Sequence, residues 1–407
     1  MAELANAHHC AIAELANDPI GSAIFTKLSS DDTEIRAAVP VLGSTVAVRC
    51  VPSSEGYIVG CVGTNAAALQ WLNDVLITQA SVEFDVHGNP MHALATRVPT
   101  GNVPAEMIRA GQKLLALRRQ EEVGAFDPGT HIPMHWYSAK LNFGDWVGPQ
   151  MVQAYSGRQP IQFNRPGTNA RALFSVGSIA GKINRHNVDV WGSGLMRPLT
   201  IKEVEVRKRL KGIKVHAVRG KLTRRELQDS LGWEVPEVYG DPALLLPDVI
   251  PPQDQGHGQV AVVPHYVHLP RIDHNAVSGR VVDVRNDVKT VVEEIAGAQA
   301  VVSSSLHGLI VAQAYGVPWV WLDVIDHQLG GKDFKFEDFF SCLDREAVSR
   351  IQVSASELAS IDLAALGAKA TLPALQIDLS LLSDAFPIDP VSGPLHEDFR
   401  ARVEVLR

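Results

Sequence analysis

The sequence predicts an α/β chain in which two open, mainly parallel sheets follow one another, face across a cleft, and are preceded by a smaller α+β region. Three observations carry that reading. Short apolar runs ending in Gly or Ser alternate with helix-like segments from about residue 129 onward. A stretch rich in Pro, Gly and polar residues, 248–258, interrupts the alternation once and reads as a linker. Beyond it a second set of the same kind begins.

The first region, residues 1–128, contains alternating or apolar runs at 45–51 and 57–62 that predict strands, while 66–76 and 104–120 predict helices. It has no chemical signature and is read as an α+β region of unassigned role. Residues 129–247 follow, with strands expected at 131–137, 172–176, 188–191, 215–218 and 236–239. The second set occupies 259–370, with strands at 259–264, 280–284, 300–303 and 318–322 and helices at 287–295 and 309–315. Residues 371–407 form a C-terminal tail. Successive β-α units of this kind build Rossmann-like halves, and such sheets bind ligands at the carboxyl ends of their strands.

The 407 residues are 46% hydrophobic and 20% charged, a globular balance that can bury a core without disulfides or structural metal. A formal net charge of -8 argues against a broad nucleic-acid surface, yet a small anion needs only a few local cations. Cys10, Cys50, Cys61 and Cys342 show no CxxC spacing and read as isolated thiols of a reducing compartment. Histidines such as His8 and His9 lack the paired spacing of a metal site, so no metal or cofactor is expected. No run approaches the ~18 consecutive apolar residues of a membrane span. Residues 1–12 carry Glu3 but no Lys or Arg, unlike a secretory leader. A cytoplasmic location is expected.

Ser303-Ser304-Ser305-Leu306-His307-Gly308 is the most informative stretch. An apolar strand runs into three serines, then His-Gly, then a helix closed by Gly316 and Pro318. A helix N-terminus offers free N–H groups to an anion, serine hydroxyls add to them, and Gly308 would let a ligand approach the backbone. His307 beside that anion would have its pKa pushed upward, which suits a general acid. A Ser N-cap followed by a polar surface imidazole fits the stretch equally well.

Arg219 ends a strand before Gly220 and would point into the crevice, where a guanidinium grips phosphate or carboxylate with two hydrogen bonds. Arg224 and Arg225 fit a solvated basic face. In Asn142-Phe143-Gly144-Asp145, the aspartate can cap the next helix and the asparagine can touch substrate. Val176-Gly177-Ser178 and Trp191-Gly192-Ser193-Gly194 place Gly and Ser just after strands, with Trp191 a surface on which a sugar ring can stack. Asp241, in Gly240-Asp241-Pro242-Ala243, would hold a loop or an interdomain contact. Lys335, or its neighbour Lys332, follows the strand after the His307 helix and can return to the same anion.

Taken in this order, these motifs resemble the polysaccharide pyruvyl transferase family over roughly residues 131–343. The resemblance implies a glycosyltransferase-B-like fold that uses phosphoenolpyruvate as donor substrate without a metal. Its pyruvyl group would pass to a sugar as a ketal, in exopolysaccharide or cell-surface glycan biosynthesis. Carried over by motif position, the catalytic set is Arg219, His307 and Lys335, with Lys332 competing for the last place. Ser304, Ser305, Leu306 and Gly308 complete the donor side. Asn142, Asp145, Ser178 and Trp191 make up the rest of the substrate-binding set, toward the acceptor. His307 is the expected acid, either to carbon or to the departing phosphate. The acceptor would be a sugar or oligosaccharide, free or lipid-linked, and a lipid-linked one would bring the protein to the membrane face without a span of its own.

Two other readings compete. A nucleotide-sugar glycosyltransferase of similar fold would need a base pocket and a ribose-binding carboxylate in the second half, where Glu293, Glu294 and Asp323 are available. A non-catalytic carbohydrate-binding protein would have lost a motif cation or histidine, whereas Arg219, His307 and Lys335 are all present.

Overall fold

Runs of Val, Ile, Leu and Trp four to six residues long dictate the architecture, because strands buried on both faces cannot alternate with polar residues. The computed structural model describes six N-terminal strands as backbone, together with residues 129, 131–137, 142–162, 171–252, 256, 258–273, 276–331 and 333–390. The chain forms two units. One comprises Met1–Phe126 with Ser138–Leu141 and Arg285–Asp287; the other comprises the remainder.

The first unit is built on strands β1 (Phe25–Leu28), β2 (Ile35–Val41), β3 (Ser44–Ser53), β4 (Gly56–Gly63), β5 (Gln79–Phe84) and β6 (Pro90–Val98). They form one antiparallel sheet of order β1-β2-β3-β4-β6-β5. The strands expected at 45–51 and 57–62 fall within β3 and β4. The helices expected at 66–76 and 104–120 lie outside the described residues.

The second unit is mixed α/β and contains two parallel sheets, as the alternating pattern predicts. The first is made from β7 (His131–His135), β8 (Gln159–Gln162), β9 (Ala172–Phe174), β10 (Val188–Ser193) and β11 (Ile213–Val218), in the order β11-β10-β9-β7-β8. Its helices are α1 (Phe143–Ser156), α2 (Ile201–Arg207) and α3 (Lys221–Leu231), and α4 (Leu246–Val249) leads out of it. The second is made from β12 (Val260–Val263), β13 (Arg280–Val281), β14 (Ala300–Ser303), β15 (Trp319–Val324) and β16 (Arg350–Val353), in the order β13-β12-β14-β15-β16. Its helices are α5 (Val288–Ala296), α6 (Leu306–Ala314) and α7 (Phe334–Phe340), followed by α8 (Leu363–Gly367) and α9 (Leu379–Asp384). Every pairing in both sheets is parallel.

Numbered along the chain, each sheet has the order 2-1-3-4-5. Both therefore reverse direction between their first and third strands, where an open α/β sheet leaves a crevice at its carboxyl edge. Strands β10, β14 and β15 are buried throughout, as central parallel strands should be. Helix α5 buries Val288, Val291, Val292 and Ile295, the stripe of a helix lying on a sheet.

Some elements differ from the sequence reading. The strand expected at 236–239 reduces to a bridge between Val218 and Tyr239. β8 and β16 were not anticipated; each is short, β8 with a Gln at either end and β16 with Arg350 and Gln352 alternating with apolar residues. The helix expected from 309 begins at Leu306, because Ser305 is already in the extended conformation of an N-cap.

The tail returns across both sheets. Thr371 pairs with Trp319 of β15. Leu382 of α9 then accepts the Trp191 indole N–H from β10 at 2.8 Å, and Phe386 packs edge-on against Trp191 and Tyr155. Among the described residues, no helix is long and apolar enough to cross a membrane.

Candidate active site

The two crevices open into one cavity of about 330 Å³, within the range of small-molecule sites. The first sheet contributes Tyr137 after β7, Asn142 and Asp145 at the start of α1, and Ser178 after β9. The second contributes His265 and Tyr266 after β12, and Ser305, Leu306 and His307 after β14. Lys335 enters from the first turn of α7.

His307 occupies the first turn of α6 and is 9% exposed. Its ring lies directly over Gly144 of α1, where an added Cβ would fall 2.7 Å from the His307 Cβ and nearer still to Cγ and Nδ1. Only glycine allows this approach. Phe143 meets the same ring edge-on at 6.4 Å. The inward nitrogen, Nε2, lies 3.9 Å from Asp241 Oδ2, and neither atom has a hydrogen-bond partner among the described residues.

The upward pKa expected for His307 is reversed. Burial and the Arg219 and Lys335 charges press it down to about 3. The expectation was for an anion bound beside the ring; without one, burial and the cations Arg219 and Lys335 outweigh the Asp241 carboxyl.

Lys335 is 6% exposed, and its ammonium lies over the Phe336 ring, 5.3 Å from the centroid, with no carboxylate paired to it among the described residues. Burial lowers its pKa to about 8, helped by Arg219 and opposed by Asp145. Asp145 shows the complementary effect. Burial raises it to about 7, against a hydrogen bond from Asn142 Nδ2 at 2.8 Å and the Lys335 charge. Lys332 lies outside the described residues.

Arg219 reaches the cavity wall but does not border the cavity. It is fully buried behind Ser178, to whose Oγ its Nη1 donates at 2.6 Å. Nε and Nη2 both bind Asp338 Oδ2, at 3.0 and 2.9 Å, and Nη2 also reaches the Leu195 carbonyl at 2.7 Å. Gly194 makes room for this guanidinium, because an added Cβ would overlap it. Asp338 also accepts from Thr223 N–H and Oγ1–H, both at 2.7 Å. The two-pronged grip anticipated for a ligand is thus made to Asp338, and the charge acts from behind the wall.

Three further expectations are corrected by their surroundings. Trp191 offers no face to a sugar: it is fully buried, hydrogen-bonded to Leu382 and enclosed by Tyr155 and Phe386. Gly308 does not open the backbone to a ligand; its missing Cβ faces Ser303 Oγ and Val263, so it seats α6 on its own sheet. Ser304 turns away from the cavity, accepting from the His265 N–H at 3.0 Å and pairing with His268 Nδ1 at 2.9 Å. Ser305, Leu306, Asn142, Asp145 and Ser178 do line the cavity.

Sequence reasoning missed Asp338 and gave Asp241 as holding a loop or an interdomain contact. Both stand in motif stretches, yet only burial distinguishes them from surface carboxylates. Tyr137 and Tyr266 were also missed. They bring aromatic faces with polar tips to the cavity, and the only available signal was their position just after the first strand of each sheet.

Residues 190–327 match the family model described as polysaccharide pyruvyl transferase. The match contains Arg219, Asp241 and His307; Asn142, Asp145, Ser178 and Lys335 lie outside it. The uncharacterized protein L143 of Acanthamoeba polyphaga mimivirus is 27% identical over 219 residues, covering 52% of this chain and 74% of that protein. The succinoglycan biosynthesis protein ExoV of Rhizobium meliloti (strain 1021) is 30% identical over 145 residues, covering 30% of this chain and 44% of ExoV. No solved structure matches.

Proposed function

From a chain whose residues 190–327 carry the polysaccharide pyruvyl transferase pattern, we propose an enzyme that moves the pyruvyl group of phosphoenolpyruvate onto a sugar as a ketal. The observation that carries the donor is Lys335, a buried and unpaired ammonium, opposite the N-terminus of α6 in one cavity. Phosphoenolpyruvate bears a phosphate and a carboxylate and so needs two such grips. The Leu306 and His307 amides begin α6 ahead of Leu309, the first to donate within the helix, and supply the second. Arg219 adds charge through Ser178.

In this reading the donor's methylene carbon takes a proton, and a sugar hydroxyl oxygen bonds to the central carbon and loses its own. The bond from the central carbon to the phosphate oxygen then breaks, its electron pair leaving with the phosphate, and a second hydroxyl bonds to that carbon to close the ketal, its proton passing to the released phosphate. His307 supplies the acid. To hold a proton near pH 7 its pKa must rise by about four units from about 3, which is roughly 5 kcal/mol of interaction. One unit charge at about 4 Å contributes ~4 kcal/mol at an effective dielectric of about 20. A donor with two or more negative charges therefore suffices, and the donor itself arms the acid.

Asn142, Asp145, Tyr137 and Tyr266 face the acceptor in this scheme. The two sheets act as Rossmann-like halves in a glycosyltransferase-B-like arrangement, the first (129–247) for the acceptor and the second (259–370) for the donor. The acceptor is a unit of a surface or exocellular polysaccharide, in keeping with the name of the ExoV relative, and the site of action is cytoplasmic.

Calorimetric titration of the full chain with phosphoenolpyruvate, beside UDP-glucose, tests the donor. Saturable binding of phosphoenolpyruvate alone, lost in Lys335→Ala, is expected. Binding of UDP-glucose in its place would transfer the case to a nucleotide-sugar glycosyltransferase.

A further inference from the structure

His307 Nε2 and Asp241 Oδ2 form the one histidine–carboxylate pair among the described residues in which both facing atoms are buried and lack a hydrogen bond. Leaving two such atoms unsatisfied in an apolar setting is costly, so the arrangement needs a reason. Their 3.9 Å separation is too long for a hydrogen bond and short enough to close with a small ring rotation. Asp241 is itself held in place. Its Oδ1 accepts the Ala243 N–H at 3.1 Å, the neighbouring Pro242 is the first residue of a 3-10 turn, and the side chain is fully buried. The carboxylate is fixed and the imidazole is the part that can move.

We propose that Asp241 is the positioning residue of His307, accepting Nε2–H so that Nδ1 is the ring nitrogen turned to the donor. The proposal rests on the pyruvyl-transfer reading only for the identity of that donor. A carboxylate at this place does two things. It selects the Nε2–H form of the neutral ring, and it stabilises the imidazolium once a proton is taken up at Nδ1, as buried carboxylates behind catalytic histidines do.

The charged groups around the ring come from every side. Arg219 stands at the end of β11, Lys335 on α7, His265 after β12, and Asp241 ahead of its turn; α1 packs Phe143 and Gly144 on the ring and brings Asp145 to the same cavity, facing Lys335. Asp241 is the carboxylate in direct reach of the ring. Burial raises the Asp241 carboxyl to about 6 and lowers the His307 ring to about 3, which leaves a charged carboxylate facing a neutral ring at pH 7.5. A donor anion on the cavity side would draw a proton onto the ring and close the pair.

The test is nitrogen-15 NMR of the imidazole in the full chain, with His307 assigned by its absence from a His307→Gln spectrum. At pH 7.5 without ligand, the wild type is expected to show the Nε2–H form, and saturating phosphoenolpyruvate to convert it to the doubly protonated ring. In Asp241→Asn, which keeps the Ala243 contact but not the charge, the tautomer preference should disappear and the donor should no longer protonate the ring. An Nδ1–H form in the wild type overturns the proposal, whether or not the variant folds. So does an Asp241→Asn spectrum identical to the wild type with and without donor. If phosphoenolpyruvate changes nothing while the Nε2–H form and its loss in Asp241→Asn are both seen, the pair stands and the donor assignment falls.

Discussion

Replacing Asp338 by Ala strands the Arg219 guanidinium in the interior. In the native protein Asp338 accepts three hydrogen bonds, one from Arg219 Nε and two from Thr223, with Arg219 Nη2 in ion-pair contact at 2.9 Å, and both members of the ion pair are wholly buried. Breaking a buried pair by removing one partner costs about 3–5 kcal/mol, because the remaining charge keeps its desolvation penalty without its counter-ion. Arg219 retains Ser178 Oγ and the Leu195 carbonyl, which places the loss near the middle, about 4 kcal/mol. For a unit of this size that is a fall in Tm of ~8–16 °C. Chemical denaturation followed by tryptophan fluorescence reads the relevant unit, since Trp136, Trp146, Trp191, Trp233, Trp319 and Trp321 all lie in it. The double variant Arg219→Met, Asp338→Leu removes both charges and should lose less than Asp338→Ala alone. A single variant within ~1 kcal/mol of wild type, or a double variant that loses the sum of both single effects, would refute the reasoning.

Three other outcomes follow from the same geometry. Gly144→Ala should push the His307 ring aside, lowering turnover on the order of 10²-fold and stability by about 1–3 kcal/mol, as steady-state assay and denaturation would show. Asp145 has a native pKa of about 7, raised mainly by burial, so between pH 4 and 7 the native state holds a proton that the unfolded chain has released. Stability therefore falls as pH rises through that window, and Asp145→Asn should be more stable than wild type at pH 8 but not below pH 4, measured by denaturation at each pH. Cys342 donates to the Arg219 carbonyl at 3.3 Å, and burial pushes its thiol up to about 12; iodoacetamide at pH 8 should label it only after unfolding, as mass spectrometry would record.

Much of the second unit could be read from the sequence because its strands are short apolar runs bounded by Gly and Ser. The 300–303 run is strand β14 to the residue, and the linker between the two sets separates two real sheets. β16 was missed because Arg350 and Gln352 interrupt it: its pattern is that of an edge, where one side needs no apolar cover. The site was legible where a motif and a helix start coincide, as at His307, and illegible where burial decides the role. Trp191 illustrates the second case. A tryptophan after a strand suits a sugar face or a core equally, and the deciding contact comes from Leu382 and Phe386, far along the chain. Arg219 is subtler: its position was right, but nothing local reveals that Asp338, on α7, takes the grip meant for a ligand.

The returning tail also limits how the second unit can deform. The chain passes between its two sheets once after α4 and again after Thr371, so two separate crossings bind the same pair of bodies. One crossing would act as a universal joint; two together act as the pins of a door. Sliding one sheet along the other would tear the Trp191 indole from Leu382, and swinging them apart would break the buried Arg219–Asp338 pair that joins β11 to α7. Loosening the second pin, for example with Phe386→Ala, should therefore weaken the hold of the tail on the first sheet.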